Sequence, residues 1–404
     1  MNVDKPVALW RNAMHGLRNC CVAFILLIAS GCHCGVLAGG WDRFDQGVDL
    51  LFDPSQVVVD LGLFDLIPNR KFQTVNGAPE SVSTAPNIFR PSINAKFSLV
   101  EDAACLATYR QPFGLNNDYG STWSQASIIV SRALTVDELG LTCSYRVKAG
   151  PGYIRLIGGI TESFATYHEE AFRRLPNGSS IRPALDLEAS ATGWRAGLAY
   201  EIPNKAFRAS LMYYSNLDFS ARGSLQQLPL GGNAFLGTVS VNAATPLPQA
   251  LEAVLHTAIA PAWLNSVSVK WADWSTLTSV PVILSADAAP LRSGRTLTSL
   301  NVFFRDGWTI SDTVTYLWSP KLALSVRAGW DRGVSTGWTD HPDAWSTLVF
   351  ANYRINEHVE VIGGIGIIHL AAGEINKAAQ PGGFTASAGP SNILFTNLGL
   401  RTRF

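Results

Sequence analysis

Residues 392–404, NILFTNLGLRTRF, alternate along the chain. Leu394, Leu398, Leu400 and Phe404 share one parity, with Thr396 and Thr402 between them; Phe395, Asn397, Gly399, Arg401 and Arg403 share the other. Successive side chains of a strand point to opposite faces, so this strand is apolar on one side and polar on the other. A soluble sheet allows this pattern. So does an outer-membrane barrel, which closes with a strand ending in an aromatic and turns its apolar parity to lipid and its polar parity to the lumen. In the barrel reading Phe404 is the assembly signal, met by the barrel-assembly machinery.

The same period recurs upstream. Trp194, Ala196, Leu198, Tyr200 and Ile202 oppose Arg195, Gly197, Ala199 and Glu201. Pro203-Asn204-Lys205 then turns the chain into residues 207–213, giving a hairpin with one apolar and one polar face. Residues 57–66, 92–100, 104–113, 123–148, 153–167, 238–258, 264–276, 296–318, 322–330, 345–353 and 359–370 read as further strands, fourteen in all. Short turns alternate with longer loops at 69–91, 114–123, 168–192, 221–236, 277–295, 331–343 and 371–391. That asymmetry and the even count predict an all-β transmembrane antiparallel barrel with both termini on the periplasmic side. Trp271, Trp274, Trp318, Trp330, Trp345 and Tyr353 fall near strand ends, where interfacial girdles form. The competing architecture is a soluble, β-rich secreted protein.

Composition narrows the choice. Of 404 residues, 47% are hydrophobic and 15% charged, well under the roughly 25% charged of a globular domain. Basic and acidic residues balance at 31 each, so no net field draws nucleic acid. Near the N-terminus, Arg11, His15 and Arg18 precede an apolar run over 20–29, and Val36-Leu37-Ala38 supplies a cleavage context. The expected division is a signal peptide at 1–38, an N-terminal hatch at 39–56 and a barrel at 57–404. Ala29-Ser30-Gly31-Cys32 as a lipoprotein site and a buried N-terminal helix are the alternatives. The apolar run is too short for a helix to cross a bilayer, which takes about 20 residues. Four of six cysteines precede residue 38, leaving Cys105 and Cys143. In an oxidising compartment such a pair reads as one disulfide. Antiparallel pairing of strands three and four brings the two together near the periplasmic rim.

At this point the chain resembles the long-chain fatty-acid transporter (FadL), or outer membrane protein transport, family. Asp53-Pro54-Ser55 followed by residues 57–68 resembles that family's hatch motif running into strand one. Trp271-Ala272-Asp273-Trp274-Ser275 resembles its Trp-x-x-Trp-Ser strand, and Arg305-Asp306-Gly307-Trp308, Trp330-Asp331 and Pro342-Asp343 follow in its order. The resemblance implies a fourteen-strand barrel plugged by a hatch and passive uptake of long-chain fatty acids or other hydrophobic molecules. It also implies lateral exit at a kinked strand three. Two departures stand out. The hatch is short, and strand three (104–113) has no interior glycine to kink it.

Candidate chemistry follows from these readings. Arg195, Arg208, Lys270 and Arg327 sit opposite their strands' apolar parity and face the lumen, where each could meet a carboxylate headgroup or an interior acid such as Glu201 or Asp331. Leu228, Leu230 and Phe235 in loop 221–236, and Val282 and Ile283 in loop 277–295, are candidates for an apolar capture groove. Residues 39–55 are expected to fold into the lumen as a plug, a disordered periplasmic tail being the alternative. Mature-chain histidines at 168, 256, 341, 358 and 369 form no metal-ligand spacing, and none precedes a serine by two. Glu169-Glu170 and Arg173-Arg174 read as a solvated loop. The expectation is therefore a non-enzymatic, monomeric channel without metal or cofactor. Its partners would be a hydrophobic small molecule and outer-membrane lipid, not nucleic acid. A general porin and a structural or adhesion barrel are the other function classes.

Overall fold

The computed structural model describes residues 47–380 and 383–404. The signal-peptide reading and the first part of the hatch lie outside them. Fourteen antiparallel strands close into one barrel. They are β1 Val57–Pro68, β2 Ile88–Val100, β3 Ala103–Asp118, β4 Ser131–Ala149, β5 Gly152–Glu170 and β6 Ala184–Ile202. Four interrupted strands follow: β7 (Phe207–Tyr214, Leu217–Gly231), β8 (Ala234–Leu247, Ala250–Ala260), β9 (Trp263–Ala272, Ser279–Leu284) and β10 (Thr296–Asn301, Gly307–Leu317). The circuit ends with β11 Leu322–Arg332, β12 Ala344–Arg354, β13 Val359–Leu370 and β14 Ser391–Arg403. β1 pairs with β14 from Val58↔Arg403 to Pro68↔Ile393, which closes the circuit. Closure is what hydrocarbon demands, because lipid offers unpaired N–H and C=O groups no partner.

The parity of the last strand is as its pattern predicts. Leu394, Leu398, Leu400 and Phe404 are exposed on the outer wall, while Phe395, Arg401 and Arg403 are buried inside. Around the circuit Leu141, Ile160, Leu198, Leu255, Val326 and Ile365 continue the exposed apolar belt. Inside, charge is paired. Arg403 donates to Asp53 at 3.0 Å and to Glu360 at 2.6 Å, and Arg401 bonds Asp60 at 2.8 Å. Short turns lie at the end that carries Val57 and Phe404, so that end is periplasmic.

Cys105 and Cys143 stand directly opposite in the β3–β4 register and are joined, with Cα atoms 4.0 Å apart. Cys143 is exposed on the lipid-facing parity of β4, beside Leu141 and Tyr145.

The structure corrects several boundaries. Residues 221–236 are not a loop. β7 and β8 run through them to a tight turn at Gly231 and Gly232, both at positive φ (108° and 56°), which glycine adopts without a Cβ clash. Leu228, Leu230 and Phe235 are therefore strand residues, with Leu228 across from Leu236 and Pro229 across from Phe235. Likewise Ser279–Leu284 is a strand, so Val282 and Ile283 are not loop residues. β6 begins at Ala184, inside the expected 168–192 loop. Residues 238–258 and 296–318 are each broken rather than continuous. The 69–91 and 371–391 connections contribute four short strands, Lys71–Val75, Ala78–Ser83, Gly373–Asn376 and Thr385–Ala388, that form a cap sheet. The cap packs Phe72 and Phe384 against Trp123, and Arg70 ties it down by bonds to Asp340 and to the carbonyls of Ala371 and Gly389.

The register at the disulfide yields a direct expectation. Mature protein unfolded without reductant should react with neither equivalent of a thiol reagent, and with two after reduction. Two reactive thiols before reduction would contradict the pairing.

Candidate functional site

Strands β7 to β10 all break at one level of the wall, at residues 215–216, 248–249, 273–278 and 302–306. The breaks in β7, β8 and β10 reverse the inward parity, while β9 keeps the same parity across its longer one, with Lys270 and Ala272 inward below and Val280 and Val282 above. In β7, Arg208, Met212 and Tyr214 are buried below the break, and Leu217, Phe219 and Leu225 above it. A one-residue slip has that effect, because the side-chain period is two. β9 carries the largest surplus. Ala250 pairs with Ala272 and Ala243 with Val282, so seven positions on β8 face ten on β9. The excess folds into a 3-10 turn, Trp274–Thr276, with Trp274 wholly buried.

Trp274 projects into the lumen and is not part of a lipid-facing girdle. Its ring meets Phe113 of β3 edge-on at 6.1 Å and Phe304 at 5.7 Å. The three rings form an aromatic constriction between opposite walls. The sequence motifs converge on its frame. Trp271 Nε1 donates to Asp306 at 3.1 Å, and the Ser275 amide donates to the same carboxylate at 3.3 Å. Gln249 donates to Asp273 at 2.9 Å, and Arg305 reaches the Gly333 carbonyl at 2.8 Å and Asp343 at 3.5 Å.

Below the constriction lies a cavity of about 800 Å³ whose lining includes Phe52, Lys96, Arg146, Arg155, Glu201 and Arg208. The described part of the hatch sits here. Residues Val48–Phe52 form a 3-10 turn with Leu50 and Leu51 buried. Asp49 accepts from Arg208 at 2.6 Å, and the Phe52 ring lies against the guanidinium groups of Arg208 (4.1 Å) and Arg155 (4.8 Å). Gly47 opens the turn at φ 62°, and a Cβ there would stand 2.6 Å from an Arg110 nitrogen. Asp53 is buried and caps the Ser55 amide at 2.9 Å. Pro54 lines the cavity, and Lys96 donates to the Ser55 carbonyl.

Above the constriction the lumen changes character. A narrow cavity of about 80 Å³ is lined by Leu134, Leu185, Leu187, Phe219, Val282 and neighbouring small residues. Among the described residues that line it there is no lysine or arginine. Of its two acids, Glu169 is paired with Arg132 at 2.7 Å and Glu188 is exposed. Beyond it, a vestibule of about 450 Å³ opens beneath the cap and contains Tyr119, His341 and Lys377. Burial pushes the His341 imidazole down to about 4, the Lys377 amine down to about 8 and the Tyr119 phenol up to about 12.

The wall itself has an interruption. β2 and β3 pair only as far as Ser92↔Arg110, whereas β3 stays paired to β4 up to Asp118↔Ser131. The irregularity falls at Gln111 and Pro112, where proline lacks the N–H the ladder needs. Proline thus does what the missing glycine was expected to do, and it rotates Phe113 inward. Arg90 fills the gap: it donates to Gln111 at 3.1 Å and lies over Gly114, where a Cβ would stand 1.6 Å from it.

All four lumen cations face inward and are buried, but they lie below the apolar cavity and do not converge. Arg195 reaches Thr108 at 3.4 Å, Arg208 holds Asp49, Arg327 bonds Ser311 at 2.9 Å, and Lys270 stands opposite Glu252. Of the apolar candidates, Val282 lines the cavity and Leu228 is buried in the same core. Leu230 and Phe235 lie exposed at the hairpin tip, and Ile283 is on the opposite parity from Val282. Phe113 and Phe304 carried no recognisable signal, since neither parity nor motif marks them. One hydrolase-like spacing, Gly333 to Gly337, occurs in the loop after β11. Its Ser335 hydroxyl is spent on the Thr339 carbonyl, and no strand-to-helix turn presents it. No group of three potential metal ligands occurs among the described residues.

Barrel, inward hatch and apolar lumen define an outer-membrane transport channel. The family model for outer membrane protein transport proteins (OMPP1/FadL/TodX) matches residues 67–332, and the chain belongs to that family. It is accordingly an outer-membrane protein of Gram-negative bacteria, in a family of hydrophobic-compound channels rather than enzymes. Similar solved structures include a Pseudomonas aeruginosa FadL homologue (TM-score 0.73, 13% identity, 93% of this chain and 98% of that one). The Pseudomonas putida toluene transporter TodX follows (0.65, 13%, 92% and 96%), as does the Ralstonia pickettii toluene transporter TbuX (0.61, 14%, 94% and 97%). At these identities the likeness is one of fold. A search of curated proteins finds no significant match.

The constriction makes a prediction of its own. In planar bilayers Trp274→Ala should convert a nearly silent barrel into one with resolvable ion-conducting openings, because it removes the ring that joins the two walls. An unchanged trace would place the seal elsewhere.

Proposed function

We propose that this channel passes small neutral apolar molecules, aromatic hydrocarbons among them, more readily than long-chain fatty acids. The observation that carries this reading is the cation-free, mostly apolar lining of the cavity above the constriction. A carboxylate entering it would lose its hydration without meeting a positive partner. Arg155, Arg208 and Arg327 lie below, in pairs and hydrogen bonds with the chain's own groups. Two relatives of like fold are named as toluene transporters. Exit in this reading is sideways, between β2 and β3, where the ladder stops and Arg90 closes the gap. Residues 39–56 act as the hatch. Asp53, Pro54 and Ser55 anchor it to the wall, and the Asp49–Arg208 pair and the Phe52 stack hold it in place.

Uptake into liposomes carrying the purified protein tests the substrate class. Toluene should enter faster than through empty liposomes, oleate only slightly and a sugar not at all. Arg327→Ala should leave toluene entry unchanged. Oleate entry that matches toluene and falls with Arg208→Ala or Arg327→Ala would favour a fatty-acid channel instead. The hatch has a separate test. Deletion of residues 39–52 should produce stable conductance, whereas a silent deletion variant would mean that these residues are not the plug.

A further inference from the structure

Glu138 lies on the inward parity of β4, fully buried, and neither of its carboxylate oxygens has a protein hydrogen-bond partner. Directly across the ladder on β5, Ser163 is equally buried and its hydroxyl is also without one. Other inward groups nearby are turned to different partners. Arg110, opposite Glu138 on β3, donates to Asn94 at 2.7 Å. Arg195 lies over Gly140, where a Cβ would stand 2.1 Å from it, and reaches on to Thr108. Among the described residues no ion pair to Glu138 is formed. Leaving such acceptors undonated inside a barrel is costly, and a native chain that keeps a carboxyl there has a donor for it to meet.

Position says which donor. The next inward pair above Glu138 and Ser163 is Val136 and Ala165, and the one above that is Leu134 and Tyr167. Ala165, Leu134 and Tyr167 line the apolar cavity. Glu138 and Ser163 therefore lie on this wall beneath the cavity lining, about 7 Å, or two residues of strand, below Ala165, with Val136 between Glu138 and Leu134. We propose that they form a subsite for the single hydroxyl of an otherwise apolar ligand, a phenol or alcohol whose hydrocarbon body sits among Leu134, Leu185 and Phe219. Glu138 accepts the hydroxyl hydrogen, and Ser163 can accept or donate as the pose requires. The subsite discriminates in both directions. A plain hydrocarbon leaves it unmet, and a carboxylate meets an acceptor where it needs a donor. The proposal rests on the apolar-channel reading and adds a polar selector to it.

Calorimetric titration of the full-length mature protein in detergent with p-cresol and with toluene tests this, because the two differ by one hydroxyl. From wild type to Glu138→Leu, the ratio of p-cresol to toluene affinity should fall about tenfold, the range of one hydrogen bond, with toluene affinity itself unchanged. Ser163→Ala should give a smaller fall in the same ratio. Heat-modifiable mobility on gels reports whether each variant folds. Should Glu138→Leu not fold, Glu138→Gln, which keeps the shape and exchanges one acceptor for a donor, should still lower the ratio several-fold. Wild type that binds toluene, with a ratio that neither substitution changes, would overturn the subsite and mean that Glu138 is met by water only, leaving the channel reading intact. Wild type that binds neither compound would overturn both.

Discussion

The constraint on which everything else depends is that no backbone amide facing lipid goes unpaired. It forces β14 back onto β1 and leaves the chain only two faces to manage. The outer face meets hydrocarbon and is apolar. The inner face then holds the strand charges that are buried, Lys96, Arg155, Arg195, Glu360 and Arg403 among them, together in a small volume. The consequence is the ladder of pairs at the periplasmic end, with Asp53 and Glu360 on Arg403, Asp60 on Arg401 and Glu201 on Arg155. Removing one partner from such a pair typically costs 3–5 kcal/mol, roughly the scale of a whole domain's stability margin. The hatch exit at Asp53 is thus fixed by the same chemistry that closes the wall.

Above the level of Trp274 this polar filling gives way to aliphatic side chains on the inner face. The transition coincides with the breaks in β7 to β10, and that is physically coherent. A slipped strand presents the other parity to the lumen, so the slips in β7, β8 and β10 exchange one set of side chains for the other on three of the fourteen strands. The barrel needs no separate domain to build a greasy compartment. It rotates the existing strands.

These slips also explain what could be read from the sequence. Where one face meets lipid and the other meets polar filling, alternation is clean, and β6, β11 and β14 were legible with their parity. In the upper half of β7 and β8 the pattern is inverted, with Leu217, Phe219, Leu225, Val239 and Val241 inward and Asp218, Ser220, Arg222, Ser240 and Asn242 outward, so the apolar parity no longer marks the lipid face. Leu225, Leu228 and Leu236 then look like a greasy loop, although they belong to a hairpin. Pro248 and the Asp273–Thr278 insertion gave no parity cue, which is why Trp274 read as a girdle residue. The Trp-x-x-Trp-Ser and Arg-Asp-Gly-Trp motifs were visible as strings, but only the fold shows that Asp306 joins them. Pro112 was visible too. Its effect was not, because a kink was sought in glycine, while loss of an N–H loosens a ladder equally well. The four cations were placed on the correct face, yet parity alone says nothing about height, and height separates them from the apolar cavity.

The disulfide beside the strand-three bulge acts as a fulcrum. Cys105–Cys143 ties β3 to β4 a few residues below Gln111 and Pro112, and the β3–β4 ladder resumes above them. β3 is therefore fastened along one long edge and released along the other once past Arg110. Any displacement of its upper half must swing about the β4 side, like a door hung on one jamb, with Arg90 as the latch on the free side. A crosslink that looks like a stability device in a secreted protein here marks which edge of β3 stays fastened to the wall.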